Sequence, residues 1–276
     1  MDMMDKISLA GDLGSGKSTV SKILIDRMGA EYYSTGRIVR AIAERMGMDV
    51  NTFNTYMETH PETDNEIDDG LRALKDDPRF LIIDSRMAWR FTPGTFKVYM
   101  STDSEVSALR IMNAHRDGES FSSLGEAVSS VLARRASERK RYYEMYGVDI
   151  KDLTNYDFVI DTTYLTPDEV AGMIEKAFRL WQMDKSYRAC YLSFKRLNIS
   201  DREIDSGKML AISDSFAEDC DREPLSVYEK NGAFYLKSSD NELLMAYCME
   251  EDGLLPCNLL SGEPDAEEYV RMENSL

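Results

Sequence analysis

Residues 11 to 18 read Gly11-Asp12-Leu13-Gly14-Ser15-Gly16-Lys17-Ser18, a complete G-x-x-x-x-G-K-[ST] pattern that narrows the possible folds more than any other stretch. A short apolar run, Ile7-Ser8-Leu9-Ala10, precedes it, and Val20, Ile23, Leu24 and Met28 follow at helical spacing. The expected order is strand, glycine-rich turn, helix, the setting in which this pattern binds phosphate. Glycines let the backbone curl so that successive N–H groups face inward, and the positive end of the helix dipole adds to that concave donor surface. Gly11, Asp12, Gly14, Ser15, Gly16, Lys17, Ser18 and Thr19 are therefore the expected contacts of a nucleoside triphosphate. Lys17 is expected to reach the β/γ-phosphates and the Ser18 hydroxyl to ligate Mg²⁺.

A chain of 276 residues is long enough for one large core or two modest domains. No apolar run approaches the roughly 18 residues of a membrane span. The first strand follows the N-terminal methionine so closely that no signal peptide is expected, and the chain reads as cytoplasmic. A net charge of -17 argues against a general nucleic-acid surface, so phosphate-binding arginines must be concentrated in a pocket. Cys190, Cys220, Cys248 and Cys257 form no C-x-x-C pair and have no histidine near them, which reads as buried thiols rather than a zinc site. His60 reads as a loop residue beside Pro61, and His115 as part of an arginine-bearing segment.

Up to about residue 183, apolar strands alternate with helical patterns. Tyr32-Tyr33 with Ser34-Thr35, Phe80 to Ile83, Phe96 to Met100 and Phe158 to Ile160 complete the strand set. Thr166-Pro167 opens a last helix carrying Val170, Met173, Ile174, Ala177 and Trp181 on one face. Five short strands with helical crossovers predict a doubly wound, parallel α/β sheet, in which ligands sit at the C-terminal strand ends. Thr35, Gly36, Arg37 and Arg40 follow the second strand, and Asp84-Ser85-Arg86 follows the third. Asp84 is expected to hold Mg²⁺ or, alternatively, to cap the next helix. Arg86 is expected to face phosphate. Arg134, Glu138 and Arg141, at i, i+4 and i+7, share one helix face: either a closing lid over the site or a solvated salt-bridge face.

The order of the phosphate loop, Ser34-Thr35-Gly36-Arg37-Ile38-Val39-Arg40, Ile83-Asp84-Ser85-Arg86, Arg134-x3-Glu138-x-x-Arg141-Tyr142, Tyr146-Gly147-Val148-Asp149-Ile150 and Tyr156-Asp157-Phe158-Val159-Ile160-Asp161-Thr162 resembles the cytidylate kinases, above all their archaeal-type branch. The resemblance covers roughly residues 5 to 182. It implies a P-loop nucleoside monophosphate kinase that transfers the ATP γ-phosphoryl group to CMP or dCMP. Residue-wise carry-over implies that Arg40 and Arg86 bind the acceptor phosphate, that Arg134 and Arg141 descend from the lid, and that Glu138 faces the acceptor nucleoside. Ser85 stands where the family often has glycine and Met87 where bacterial members have aspartate, which leaves base and sugar selectivity open. A P-loop kinase for another small acceptor, and an ATP-gated sensor signalling through the C-terminal region, are the alternatives.

Residues 184–276 read as a separate, acidic, small α+β domain after a P-loop domain of residues 1–183. A helix around Met209 to Phe216, two strands around Asn231-Gly232, a helix from Leu243 and a strand from Leu254 to Leu260 are expected. This order weakly resembles the ParB-like nucleotide-binding domain. The family's glycine and basic residues are replaced here by Ser239-Asp240-Asn241-Glu242, which implies a copy used for regulation, self-association or a protein partner. It is expected to contribute nothing to chemistry. The tail from Gly262 to Leu276 is expected to be poorly ordered.

Overall fold

The computed structural model describes residues 5–60, 62–114, 121–216, 222–250, 253–266 and 268–272. Contacts divide the chain into two compact units, residues 1–158 with 165–188, and residues 159–164 with 189–276. The chain therefore passes into the second unit at Val159, returns at Leu165, and leaves again after Arg188.

In the first unit the elements run β1 (Ile7–Gly11), α1 (Lys17–Met28), β2 (Glu31–Ser34), α2 (Thr35–Arg45), α3 (Val50–Thr59), α4 (Glu62–Ala73), β3 (Leu81–Asp84), α5 (Ala88–Phe91), β4 (Phe96–Ser101), α6 (Ser104–Asn113), α7 (Leu124–Tyr146) and α8 (Pro167–Met183), while β5 (Phe158–Asp161) starts in it at Phe158 and belongs from Val159 on to the second. β4, β1, β3 and β2 lie side by side, all parallel. The chain enters β5 along β4, where Asp157 N donates to Lys97 O at 2.8 Å and Asp157 Oδ2 accepts from Lys97 N at 2.9 Å. Leu9, Ile82 and Val98 are each 0% exposed, as expected for strands covered on both faces. Full burial of one such side chain stabilises by about 1.5–3 kcal/mol.

Local chemistry sets the helix ends. Thr166 caps α8 in a reciprocal box with Glu169, and Pro167 occupies the first turn, where no N–H is needed. Ser34, read as strand, is the last strand residue and also the N-cap of α2, its hydroxyl accepting from Arg37 N; Thr35 is already helical. α7 is one 23-residue helix. Its first turns bury Ala127 and Val131 against Leu13 of the phosphate loop and against Ala108 and Ile111 of α6. Its last turns lay Tyr142 and Tyr146 on Leu71, Leu74 and Met87. The arginine-rich helix thus runs from the phosphate loop to α4.

The second unit contains β6 (Ala189–Ser193), β7 (Leu197–Ser200), α9 (Ser206–Phe216), β8 (Leu225–Lys230), β9 (Ala233–Leu236), α10 (Asn241–Met249), β10 (Leu254–Leu260) and β11 (Tyr269–Arg271). They form a mixed sheet in the order β11-β7-β9-β8-β10-β6. Asn231 and Gly232, at φ 56° and 85°, turn β8 into β9, the left-handed pair that matches strand twist. Within the tail expected to be poorly ordered, Tyr269–Arg271 forms a strand that pairs antiparallel with β7. The stretch Ser239 to Glu242 is also less bare of cations than its sequence suggests. Glu242 is 2% exposed and accepts from Arg202 at 2.5 Å, from the segment leading into α9, and from Lys208 at 3.4 Å, in the first turn of α9.

Candidate active site

Gly14 and Gly16 give the phosphate loop its path. Gly14 has φ +72°, and a Cβ there would stand 2.7 Å from Ser107 O, so no side chain fits. Gly16, left-handed at φ 88°, launches α1 without a side-chain cap, leaving the first N–H groups of the helix for a ligand. Ser18 and Thr19 are exposed on that first turn. Lys17 Nζ folds back over its own loop, donating to Gly11 O at 3.0 Å and Asp12 O at 2.8 Å. Burial and then the neighbouring Arg86 charge push its ammonium down to about 7, against the pull of Asp84, Asp12 and Glu138.

Asp84 closes β3, and its Oδ2 accepts from Tyr32 OH at 2.8 Å. Burial and that carboxylate push the Tyr32 phenol up to about 12, and the same hydroxyl also meets Ser18. Tyr32 therefore links the two groups expected at a metal. Asp84 is not a helix cap: Met87 occupies that position for α5. Oxygen donors of this kind, one carboxylate and one hydroxyl beside a phosphate cradle, suit Mg²⁺, which completes its shell with water and substrate phosphates.

Arg86 is the hub. Its Nη1 donates to Gly11 O at 2.8 Å and its Nε to Glu138 Oε2 at 3.0 Å. Arg134 Nε approaches Glu138 Oε1 at 3.6 Å. Burial opposes the charge on Glu138, but Arg86 and Arg134 outweigh it and hold the carboxyl below its usual range. Burial likewise opposes charge on Arg86, and Glu138 outweighs it, so the guanidinium stays protonated. The Arg134, Glu138, Arg141 face is thus turned onto the strand ends, not onto solvent. Arg141 approaches Asp64 Oδ2 at 3.9 Å and lies over the Tyr142 ring at 5.0 Å. Thr35 Oγ1 donates to Asp84 O at 3.4 Å, with Gly36 next in the chain. Arg37 and Arg40 are exposed on α2, apart from the Arg86 hub.

Asp12 behaves differently from a simple loop residue. It is 5% exposed and accepts from Tyr99 OH and Thr102 N at 3.0 Å each. Lys151 Nζ also pairs with its Oδ1, and Arg135 Nε lies 3.9 Å away. Burial alone would raise this carboxyl; Lys151 and Arg135 carry it well below the usual range. Arg135 lies in the arginine-rich segment that the sequence points to as a lid, but Lys151 and Tyr99 carried no sequence signal for a site, because each is far in the chain from the Asp12 that it meets. Met87 is 2% exposed within the core. His60 stacks on Tyr56 at 3.6 Å and takes no part in the site. Cys190 and Cys257 are buried free thiols opposite each other on β6 and β10, while Cys220, His115 and Arg116 lie outside the described residues. Among the described residues no acidic, histidine and cysteine cluster could hold a metal by itself, and no helix is long and apolar enough to cross a membrane.

A profile of the cytidylate kinase-like family matches residues 6–164. A cytidylate kinase of Thermoplasma volcanium is 36% identical over 173 residues, 61% of this chain and 88% of that protein. An S-adenosylmethionine-dependent nucleotide dehydratase of Lacinutrix mariniflava is 32% identical over 223 residues, 75% of this chain and 45% of that protein. That span exceeds the first unit, so the similarity reaches into the second. The crystal structure of shikimate kinase from Bacteroides thetaiotaomicron is 13% identical, with a TM-score of 0.46, over 63% of this chain and 98% of that one. With a phosphate loop, an arginine-lined set of strand ends and a match over more than half its length, the chain is an ATP-dependent phosphotransferase that belongs to the cytidylate kinase-like family.

Proposed function

We propose that the chain transfers the γ-phosphoryl group of ATP to a cytidine monophosphate, CMP or dCMP. The observation that carries this reading is the Arg86 hub. A partly buried guanidinium just past the end of β3 bonds to the phosphate loop and to Glu138 on the acidic and basic face of α7, which supports a place between donor and acceptor. Such a group can be bidentate to phosphate, and among the described residues its counter-charge at hydrogen-bond distance is Glu138. An incoming acceptor phosphate competes with Glu138 for Arg86, and the released carboxylate turns to the acceptor nucleoside.

Little covalent work is asked of the protein in this reaction; positioning and electrostatic stabilisation supply most of the acceleration. The loop N–H groups and Lys17 hold the β/γ-phosphates, with Gly11 to Thr19 as the cradle. Ser18 and Asp84 are the residues that would hold Mg²⁺, which when bound neutralises charge on the β and γ oxygens. Arg86, with Arg134 and Arg141 on α7, surrounds the transferring group and the acceptor phosphate. Arg37 and Arg40, exposed on α2, join the acceptor when α2 and α7 close, excluding water. The similarity of both units to part of a longer protein named for a nucleotide reaction fits a nucleotide acceptor.

The test is a coupled turnover assay with ATP, Mg²⁺ and a panel of nucleoside monophosphates. CMP or dCMP is expected to give the highest kcat/KM. Turnover of a non-nucleotide acceptor with none for any nucleoside monophosphate would overturn the assignment.

A further inference from the structure

Tyr32 and Tyr33, neighbours on β2, point to opposite faces of the sheet, as successive strand residues must. Tyr33 packs with Leu71, Leu81 and Ile83 on the α4 side, its hydroxyl so near Gly70 that a Cβ there would stand 2.7 Å away. Tyr32 takes the other face and shares it with Asp84, for in the parallel register Tyr32 lies opposite Ile82 and Ser34 opposite Asp84. The half-buried ring carries its hydroxyl forward along the strands, where it donates to Asp84 Oδ2 at 2.8 Å. The same hydroxyl meets Ser18 and Ser34. Tyr32 thus touches both residues that would hold Mg²⁺, one on α1 and one on β3.

Two features of the Tyr32 bond suit a metal ligand. A phenol is a neutral donor, so it fixes the carboxylate without cancelling the charge that a cation needs. It also occupies one oxygen: among the described residues Asp84 Oδ1 accepts no hydrogen bond, while Oδ2 is taken. Mg²⁺ demands near-octahedral geometry, keeps several waters and is held through one or two carboxylates. Ca²⁺ is larger and more flexible, and readily takes both oxygens of one carboxylate. A carboxylate pinned at one oxygen suits the first ion better than the second.

We infer that Tyr32 is the positioning residue of the Mg²⁺ site: its hydroxyl holds Asp84 Oδ2 and Ser18 in place, leaves Oδ1 for the ion or one of its waters, and so favours Mg²⁺ over Ca²⁺. This inference rests on Ser18 and Asp84 as the metal-holding residues and adds the group that orients them. Hydrogen-bond partners of metal-ligating carboxylates commonly control affinity by ten- to a hundredfold, without touching the metal themselves.

The test reads binding rather than turnover. Titration calorimetry gives the Kd of the non-hydrolysable imido analogue of ATP in EDTA, in Mg²⁺ and in Ca²⁺, and the ratio of the EDTA value to each metal value measures how far that ion strengthens binding. Tyr32→Phe keeps the ring and removes only the hydroxyl. Its Mg²⁺ ratio is expected to fall by about tenfold, its Ca²⁺ ratio by less, and its Kd in EDTA to stay within about twofold of the parent. A purely structural tyrosine would shift all three Kd values together and leave both ratios unchanged; that result in a variant that melts like the parent overturns the inference. The unmodified protein supplies a reading that does not depend on the variant folding: its Mg²⁺ ratio is expected to exceed its Ca²⁺ ratio, and equal ratios overturn the preference assigned to Tyr32. Asp84→Asn separates this role from the metal site itself. It is expected to lose most of the Mg²⁺ ratio, and a parental ratio in that variant removes Asp84 from the metal site and the inference with it, while the coupled turnover assay still decides the kinase reading on its own.

Discussion

Lys17 is the residue on which chemistry and electrostatics meet most directly. Without a nucleotide its ammonium is enclosed by backbone carbonyls and by Arg86, and it is pushed from its ordinary 10.5 down to about 7. A triphosphate brings negative charge to the same place and raises that value again. ATP binding above pH 7 must therefore take up a proton, and apparent ATP affinity must fall as pH rises from about 7 towards 10.5. Titration calorimetry at pH 8 in buffers of different ionisation enthalpy reads this uptake; Lys17→Met should abolish it. In the ligand-free protein the unfolded chain binds more protons than the folded one across the same window, so this lysine makes stability rise with pH there. Its charge also acts in the transition state, and Lys17→Ala is expected to cost several kcal/mol in kcat/KM with the fold intact. Near-normal turnover in a folded Lys17→Ala protein contradicts the kinase reading. Arg86→Ala should raise the KM for the monophosphate and lower kcat, with a smaller effect on ATP. An equal loss of ATP affinity would place Arg86 on the donor side.

At the scale of elements, the phosphate loop is anchored from behind. Asp12 ties it to β4 through Tyr99 and Thr102, and to the segment after α7 through Lys151. Removing one partner of a buried ionic group leaves uncompensated charge and costs about 3–5 kcal/mol, so Asp12→Ala should destabilise on that scale. Lys151→Met, which leaves Asp12 its two neutral donors and Arg135, should cost less. Urea denaturation of the two variants decides it, and equal losses would show that the cations, not the β4 donors, carry the anchor. Sequence showed the loop but not this anchor. A G-x-x-x-x-G-K-[ST] pattern and a near-continuous apolar run such as Leu81 to Ile83 are local signals, as are the Asn231-Gly232 turn and the Thr166 capping box. Lys151 meeting Asp12, or Asp64 meeting Arg141, is a product of tertiary packing across many residues, and no spacing records it. β6, β7 and β11 went unseen for another reason. They are short, three to five residues each, and only β6 shows any alternation of buried and half-exposed positions, so no period is legible.

At the scale of the whole chain, the two units are not joined end to end. Residues 159–164 belong by their contacts to the second unit yet lie in sequence between β4 and α8 of the first. Within the second unit Asp161, 0% exposed, accepts from Arg196 Nη1 at 3.0 Å and from Ser193 N at 3.2 Å. A chain cut after Arg188 keeps every residue of the proposed kinase site and loses both of these partners. Losing the buried ion pair alone costs about 3–5 kcal/mol. In a chain of this size each kcal/mol moves Tm by about 2–4 °C, so the shortened protein should melt roughly 10 °C below the full chain. Asp161→Asn in the shortened protein removes the stranded charge and should recover part of that loss. Kinetics separate stability from chemistry: below its melting temperature the shortened protein should keep KM values for ATP and CMP within about twofold, since the lysine, arginines and carboxylates that hold them all lie in the first unit. Equal melting temperatures would show that residues 159–164 stand without the second unit. A folded but inactive shortened chain, restored by adding residues 189–276 as a separate protein, would mean that the second unit completes the site.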